Sequence, residues 1–265
     1  MERRRTGDWA YLQQGESGPV LLLVHGFPLD ADMWSGQLEG LAGDARLIAP
    51  DLPGFGASQP LESAEPLRME RLADGLADLL DRLQVSEPVA VCGLSMGGYV
   101  ALAFWQRHGQ RLRGLALCDS KAAADTAAAR QGRQAAAESA LAGEVDRLCE
   151  AMTPRLFARQ TIQSAPQLVA ETAESMRGTT PATFAAAQRG MAERADMTSR
   201  LPQIEIPSLL LCGAEDGIST PDEMRQIAAA IPRAEFVEIA AAGHLAPLEQ
   251  PAAANQALRR WLLSL

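Results

Sequence analysis

Short stretches in which every residue is apolar recur along this chain, and longer amphipathic runs separate them. VLLLV at 20–24, VAVCGL at 89–94 and LLLCG at 209–213 are the clearest. A strand that is apolar at successive positions has both faces covered, which happens where helices pack on the two sides of a parallel sheet. The intervening amphipathic runs supply those helices as right-handed crossovers. Seven strands follow from this pattern: DWAYLQQ, PVLLLVHG, RLIAPDL, PVAVCGL, LRGLALCD, SLLLCGAED and EFVEIA. Between the third and fourth, Met69 to Gln84 carries Leu72, Leu76, Leu79, Leu80 and Leu83 at helical spacing, so it reads as a crossover helix.

From Lys121 to about Arg200 the strand signal stops. Ala-rich helical stretches replace it, with breaks expected at Pro154, Pro166 and Pro181, before the strand rhythm resumes at IPSLLLCG. The sheet continues on both sides of this segment, so residues 121–200 read as a helical cap inserted into a core of residues 1–120 and 201–265. With 265 residues, 47% of them hydrophobic and 22% charged, the chain has the make-up of an ordinary globular protein able to bury one large core.

The net charge of -9 argues against a nucleic-acid or anionic-membrane partner, because those reward clustered Lys and Arg. A small neutral molecule fits better. The segment MERRRTGDWAYLQQ is basic but lacks the apolar centre of a secretory signal, and the run Pro19 to Val24 is too short to span a bilayer, which makes the cytoplasm the expected location. Cys92, Cys118, Cys149 and Cys212 form no CxxC pair, and three of them lie within strand-like runs. They read as buried reduced thiols, and neither a metal nor a cofactor is expected.

One polar residue has no packing purpose. Ser95 stands in Gly93-Leu94-Ser95-Met96-Gly97, a G-x-S-x-G between an apolar strand and an apolar helix, which is the setting that motif requires. The glycines let the backbone bend sharply and leave the hydroxyl projecting from a tight corner. A hydroxyl is a poor nucleophile until a base takes its proton, and the chain holds three histidines. His108 reads as a helix-end cation ahead of a Gly109 cap, and His25 as part of a turn after the LLLV strand. His244, in AAAGHLAPLEQP after the last strand, is the candidate base.

An imidazole in that role needs an acceptor on its second nitrogen. Asp216 ends the SLLLCG strand in CGAEDGISTP, one strand unit before His244, and adjacent strands deliver adjacent loops. Glu215 and Asp119 are the competing carboxylates. An oxyanion also needs two donors, and the backbone amides of Met96, the residue after the nucleophile, and Phe27, in the loop HGFPLDADMW, are the candidates.

The order Ser95, Asp216, His244 is the nucleophile, acid and base order of the α/β-hydrolases. The chain resembles that superfamily over nearly its whole length: HGFPLDADMW is similar to the oxyanion loop, DLPGFGAS to the loop after the next strand, GLSMGG to the nucleophile elbow, GAEDGISTP to the acid loop and GHLAPLEQP to the histidine loop. The resemblance implies an α/β fold with a mostly parallel, doubly wound sheet and a helical cap inserted after the sixth strand. It also sets aside the dehalogenase and epoxide-hydrolase branches, which carry an aspartate where Ser95 stands. Asp51 in DLPGFGAS reads as structural.

Among the relatives, the chain is most similar to carboxylesterases, 3-oxoadipate enol-lactonase-like hydrolases and cofactor-free haloperoxidases or perhydrolases, which share one kind of site. The resulting expectation is hydrolysis of a small ester through an acyl-enzyme on Ser95, with Trp34, Met96 and Phe157 around an apolar pocket. An enol-lactone substrate would want a fixed cation, for which Arg155 or Arg159 are the residues to test. A hydrolase-fold ligand receptor, in which a slow triad holds a signal, is the alternative of another class, and fast multiple turnover on simple esters discriminates against it.

Overall fold

The computed structural model describes residues 1–265. Its centre is one eight-stranded sheet: β1 (Arg3–Thr6), β2 (Trp9–Gln14), β3 (Val20–Val24), β4 (Arg46–Pro50), β5 (Val89–Leu94), β6 (Leu112–Cys118), β7 (Ser208–Gly213) and β8 (Ala234–Ile239). The spatial order is β1-β2-β4-β3-β5-β6-β7-β8, and every pairing from β4 to β8 is parallel, while β1 with β2 and β2 with β4 are antiparallel. All residues of β3, β5 and β7 are buried, as continuous aliphatic runs demand of strands covered on both faces.

Helices α1 (Ser35–Gly40), α2 (Met69–Arg82) and α3 (Met96–His108) fall between the early strands. Five more, α4 (Ala127–Leu141), α5 (Val145–Leu156), α6 (Arg159–Ser164), α7 (Pro166–Arg177) and α8 (Pro181–Ala192), lie between β6 and β7, and α9 (Pro221–Ala230), α10 (Ala246–Glu249) and α11 (Pro251–Leu262) complete the chain. Leu72, Leu76, Leu79 and Leu80 are the buried face of α2, as their spacing requires. No helix is long and apolar enough to cross a membrane.

The strand missed by sequence reasoning is β1. Its RRRT shows no apolar signal because it is the sheet's edge, and Thr6 pairs with Trp9 across the two-residue turn Gly7-Asp8. That turn, with Gly7 at φ +55°, is the signal that could have revealed it. Pro154 does not break a helix; it sits in the last turn of α5, whereas Pro166 and Pro181 each open a helix, where a missing N–H costs nothing. Gly109 is the residue that caps α3 after His108, and it does so with right-handed backbone at φ -55°.

The helical insertion from α4 to α8 touches the loops that leave the strands' carboxyl ends. The Thr179 hydroxyl donates to Pro28 O (3.2 Å) after β3, and Thr183 to Gly54 O (3.3 Å) after β4. The Arg159 amide donates to Glu215 (3.2 Å) after β7, and the Ala158 amide to Glu249 (2.8 Å) after β8. Phe157, Met176 and Phe184 of the insertion belong to the same cluster of 78 buried hydrophobic residues as the sheet, so insertion and sheet share one core.

Candidate active site

Ser95 follows β5 directly and precedes α3 with φ +51° and ψ -112°, a conformation that costs a non-glycine residue about 1–3 kcal/mol. Hydrogen bonds to its backbone hold it there, one of them from the Tyr99 amide to its carbonyl (3.3 Å). The Ser95 amide donates to Cys118 O (2.9 Å), and its carbonyl accepts from the Gly98 amide (2.9 Å) and from the Ser120 hydroxyl (2.9 Å). A Cβ at Gly93 would lie 2.1 Å from Gly97 O, and one at Gly97 would lie 2.1 Å from Val24 O. Both glycines are therefore dictated by backbone passing backbone.

The Ser95 Oγ is 2.9 Å from His244 Nε2, and His244 Nδ1 is 2.9 Å from Asp216 Oδ2. The other Asp216 oxygen accepts from the amides of Ile218 (2.7 Å) and Ser219 (3.1 Å), so the carboxylate is pinned by its own loop and presents only an acceptor to the imidazole. Nδ1 then carries the ring proton, and Nε2 is left to accept from the serine hydroxyl. Asp216 and His244 are buried, at 3% and 4% exposure, and Ser95 is only partly covered. Three loops far apart in sequence thus meet in one hydrogen-bonded row.

The competing carboxylates have other partners. Glu215 takes the Arg159 amide, and Asp119 takes the Gly213 amide (2.8 Å). Asp119 is fully enclosed beside Asp216 and Cys212, and burial, then the Asp216 charge, push its carboxyl well above the usual carboxylate range. The Cys212 thiol is pushed up by burial in turn, and all four cysteines are free and buried.

Met96 is the first residue of α3, so its amide has no intrahelical acceptor. The Phe27 amide donates to no group of the protein. It lies next to Gly26, where a Cβ would be 3.5 Å from Ser95 Cβ. His25, read from sequence as part of a turn, orients this peptide. Its Nε2 accepts from the Leu52 amide (2.9 Å), so Nδ1 bears the proton and donates to Gly26 O (2.9 Å). In a trans peptide the carbonyl and the following N–H point oppositely, which turns the Phe27 N–H away from His25. Burial pushes the His25 pKa down and keeps the ring neutral, as this double role requires.

Asp51 accepts from the amides of Ala31 (2.9 Å) and Ala57 (2.8 Å), tying together the loops after β3 and β4. The Phe27 ring meets Phe184 of α8 edge-on, with centroids 4.7 Å apart. Phe157 ends α5 against the histidine loop: a Cβ at Gly243 would lie 2.7 Å from its carbonyl carbon. Trp34 is fully enclosed in the core, so its side chain reaches no open pocket. His108 is far from this chemistry, paired with Asp74 (2.8 Å) at the end of α3.

A parallel sheet whose strand ends deliver a strained serine, an imidazole and a carboxylate in one row defines a hydrolase-like class of site. The chain belongs to the alpha/beta hydrolase fold family, whose sequence model matches residues 19–251. It is similar to 3-oxoadipate enol-lactonase 1 of Acinetobacter baylyi, at 28% identity over 89% of this chain and 85% of that one. Among solved structures it is similar to a thermophilic esterase from Thermogutta terrifontis with malate bound, at 42% identity and TM-score 0.94, covering 97% of this chain and 93% of that one. It also resembles the enol-lactonase from Burkholderia xenovorans LB400, at 27% identity and TM-score 0.88, covering 96% of each.

Proposed function

We propose that this chain hydrolyses small carboxylic esters by two-step acyl transfer. Ser95 Oγ attacks the ester carbonyl carbon while His244 Nε2 takes the hydroxyl proton, and Asp216 holds the imidazole and stabilises its charged form. The amides of Phe27 and Met96 receive the oxyanion. The imidazolium returns its proton to the departing alcohol, and water then attacks the acyl-enzyme, with His244 as its base. The observation that carries this reading is the pair of 2.9 Å contacts linking Ser95, His244 and Asp216. The two unpartnered amides beside the serine support it.

In this reading residues 121–200 act as a cap over a core formed by 1–120 and 201–265, with Phe157 bordering a pocket for a small apolar acyl or alkyl group. Similarity to enol-lactonases by name favours a second reading at the same site, opening of an enol-lactone ring, since a lactone is an internal ester. Arg155 and Arg159, the candidate cations for a carboxylate-bearing lactone, are both exposed and form no ion pair within the chain. That arrangement fits a neutral ester better.

The test is turnover of p-nitrophenyl acetate by Ser95→Ala, alongside a panel of lactones. A folded variant with no turnover above the uncatalysed rate supports the proposal, and a variant as active as the parent ends it.

A further inference from the structure

Glu249 lies five residues beyond His244 and hydrogen-bonds to neither Ser95 nor Asp216, yet its carboxylate joins two segments that the reaction would need to keep in register. One oxygen, Oε1, accepts from the Gly243 amide (2.6 Å), immediately before His244. The other, Oε2, accepts from the Ala158 amide (2.8 Å), just before α6, and from the Thr161 hydroxyl (2.5 Å), in the first turn of α6. The two segments also touch directly. A Cβ at Gly243 would lie 2.7 Å from Ala158 N and 2.7 Å from the Phe157 carbonyl carbon, so the histidine loop rests on the insertion with no room for a side chain between them.

A carboxylate with donors on both oxygens is a fixed bracket. Each N–H or O–H it serves would otherwise be a partly buried donor without a partner, at about 1–3 kcal/mol each. Burial pushes the Glu249 carboxyl up, while those donors pull it back down. The neighbouring loop repeats the arrangement in weaker form: Glu215, directly before Asp216, accepts from the Arg159 amide at 3.2 Å. Consecutive amides of the insertion, 158 and 159, are thus held by carboxylates from the loops that carry the imidazole and its partner.

We propose that Glu249 is a positioning residue that locks the His244 loop to the start of α6 in the helical insertion, so that the placement of the imidazole depends on the insertion being seated. The inference rests on the reading of His244 as the base. Glu249→Gln tests it, because an amide nitrogen at either oxygen position meets an N–H or O–H that needs an acceptor. Thr161→Val is the companion, since it removes one of the two bonds on the insertion side and leaves the Gly243 bond in place.

Folded Glu249→Gln protein is expected to lose about tenfold to a hundredfold in kcat on p-nitrophenyl acetate, the scale of a small misplacement of a reacting group, with KM changed much less. Thr161→Val is expected to lose several-fold in the same sense, and Glu249→Asp to retain part of the lost rate. An NMR titration of the His244 ring, assignable among three histidines, should shift in both variants. That arm needs no turnover, so it decides the inference even if the parent proves inactive on esters and the proposed function falls. Variants that keep the parent kcat and His244 titration, however much their Tm drops, overturn the inference. If Glu249→Gln does not fold, Thr161→Val decides alone by the same two readouts.

Discussion

Replacing Asp216 by Asn removes a charge and one acceptor while leaving shape almost unchanged, and the local geometry fixes which way the new amide sits. Oδ1 receives two backbone N–H groups, from Ile218 and Ser219. An Asn that turned its NH2 toward them would oppose donor to donor twice, at about 1–3 kcal/mol each. Its carbonyl therefore stays on the loop and its NH2 faces His244 Nδ1, where Oδ2 now lies 2.9 Å away. Nδ1 becomes the acceptor, the ring proton moves to Nε2, and Nε2 can no longer take a proton from Ser95. The expected loss is about 10⁴-fold in kcat, or roughly 5 kcal/mol of transition-state stabilisation, with little change in KM. The assay is the initial rate on p-nitrophenyl acetate, with circular dichroism and Tm to establish folding. A folded Asp216→Asn enzyme that loses less than about tenfold would refute the tautomer argument.

Other expectations follow from single contacts. The raised Asp119 pKa means that the folded chain holds this proton to a higher pH than the unfolded chain does, so its contribution to stability falls as pH rises above the ordinary aspartate value. Asp119→Asn removes that dependence, so the Tm difference between variant and parent should shift in the variant's favour as pH rises above the ordinary aspartate value; a difference independent of pH contradicts the assignment. Gly97→Ala forces a Cβ to 2.1 Å from Val24 O and 2.7 Å from His25 O, both backbone atoms, and should cost about 3 kcal/mol or more, with Tm lower by about 10 °C. Gly132→Ala, on the exposed side of α4 with open space around it, should instead stabilise by roughly 0.5–1 kcal/mol, read as a small rise in Tm.

The apolar runs were legible because their chemistry is local: seven of the eight strands and the crossover helix at Met69–Arg82 follow from spacing alone. The eighth, β1, is held by pairing with β2 at a sheet edge, and nothing in RRRT announces a partner further along the chain. Ser95 was visible because a motif surrounds it, and His244 and Asp216 because strand order dictates which loops are neighbours. The supporting shell was not. His25, Ser120 and Glu249 act through hydrogen bonds to backbone atoms of Leu52, Ser95 and Ala158, far away along the chain, and such contacts leave no periodicity in sequence. Trp34 illustrates the opposite error, since an aromatic residue near the oxyanion loop suggested a pocket wall and packs instead into the core.

The proposed acyl transfer requires Ser95 to be the one hydroxyl activated by a neighbouring imidazole. Treating the folded protein with a fluorophosphonate and reading intact mass and peptide map should give a single covalent adduct on Ser95, lost or strongly slowed in His244→Ala. Ester turnover that persists with no adduct, or with an adduct on any other residue, would contradict it.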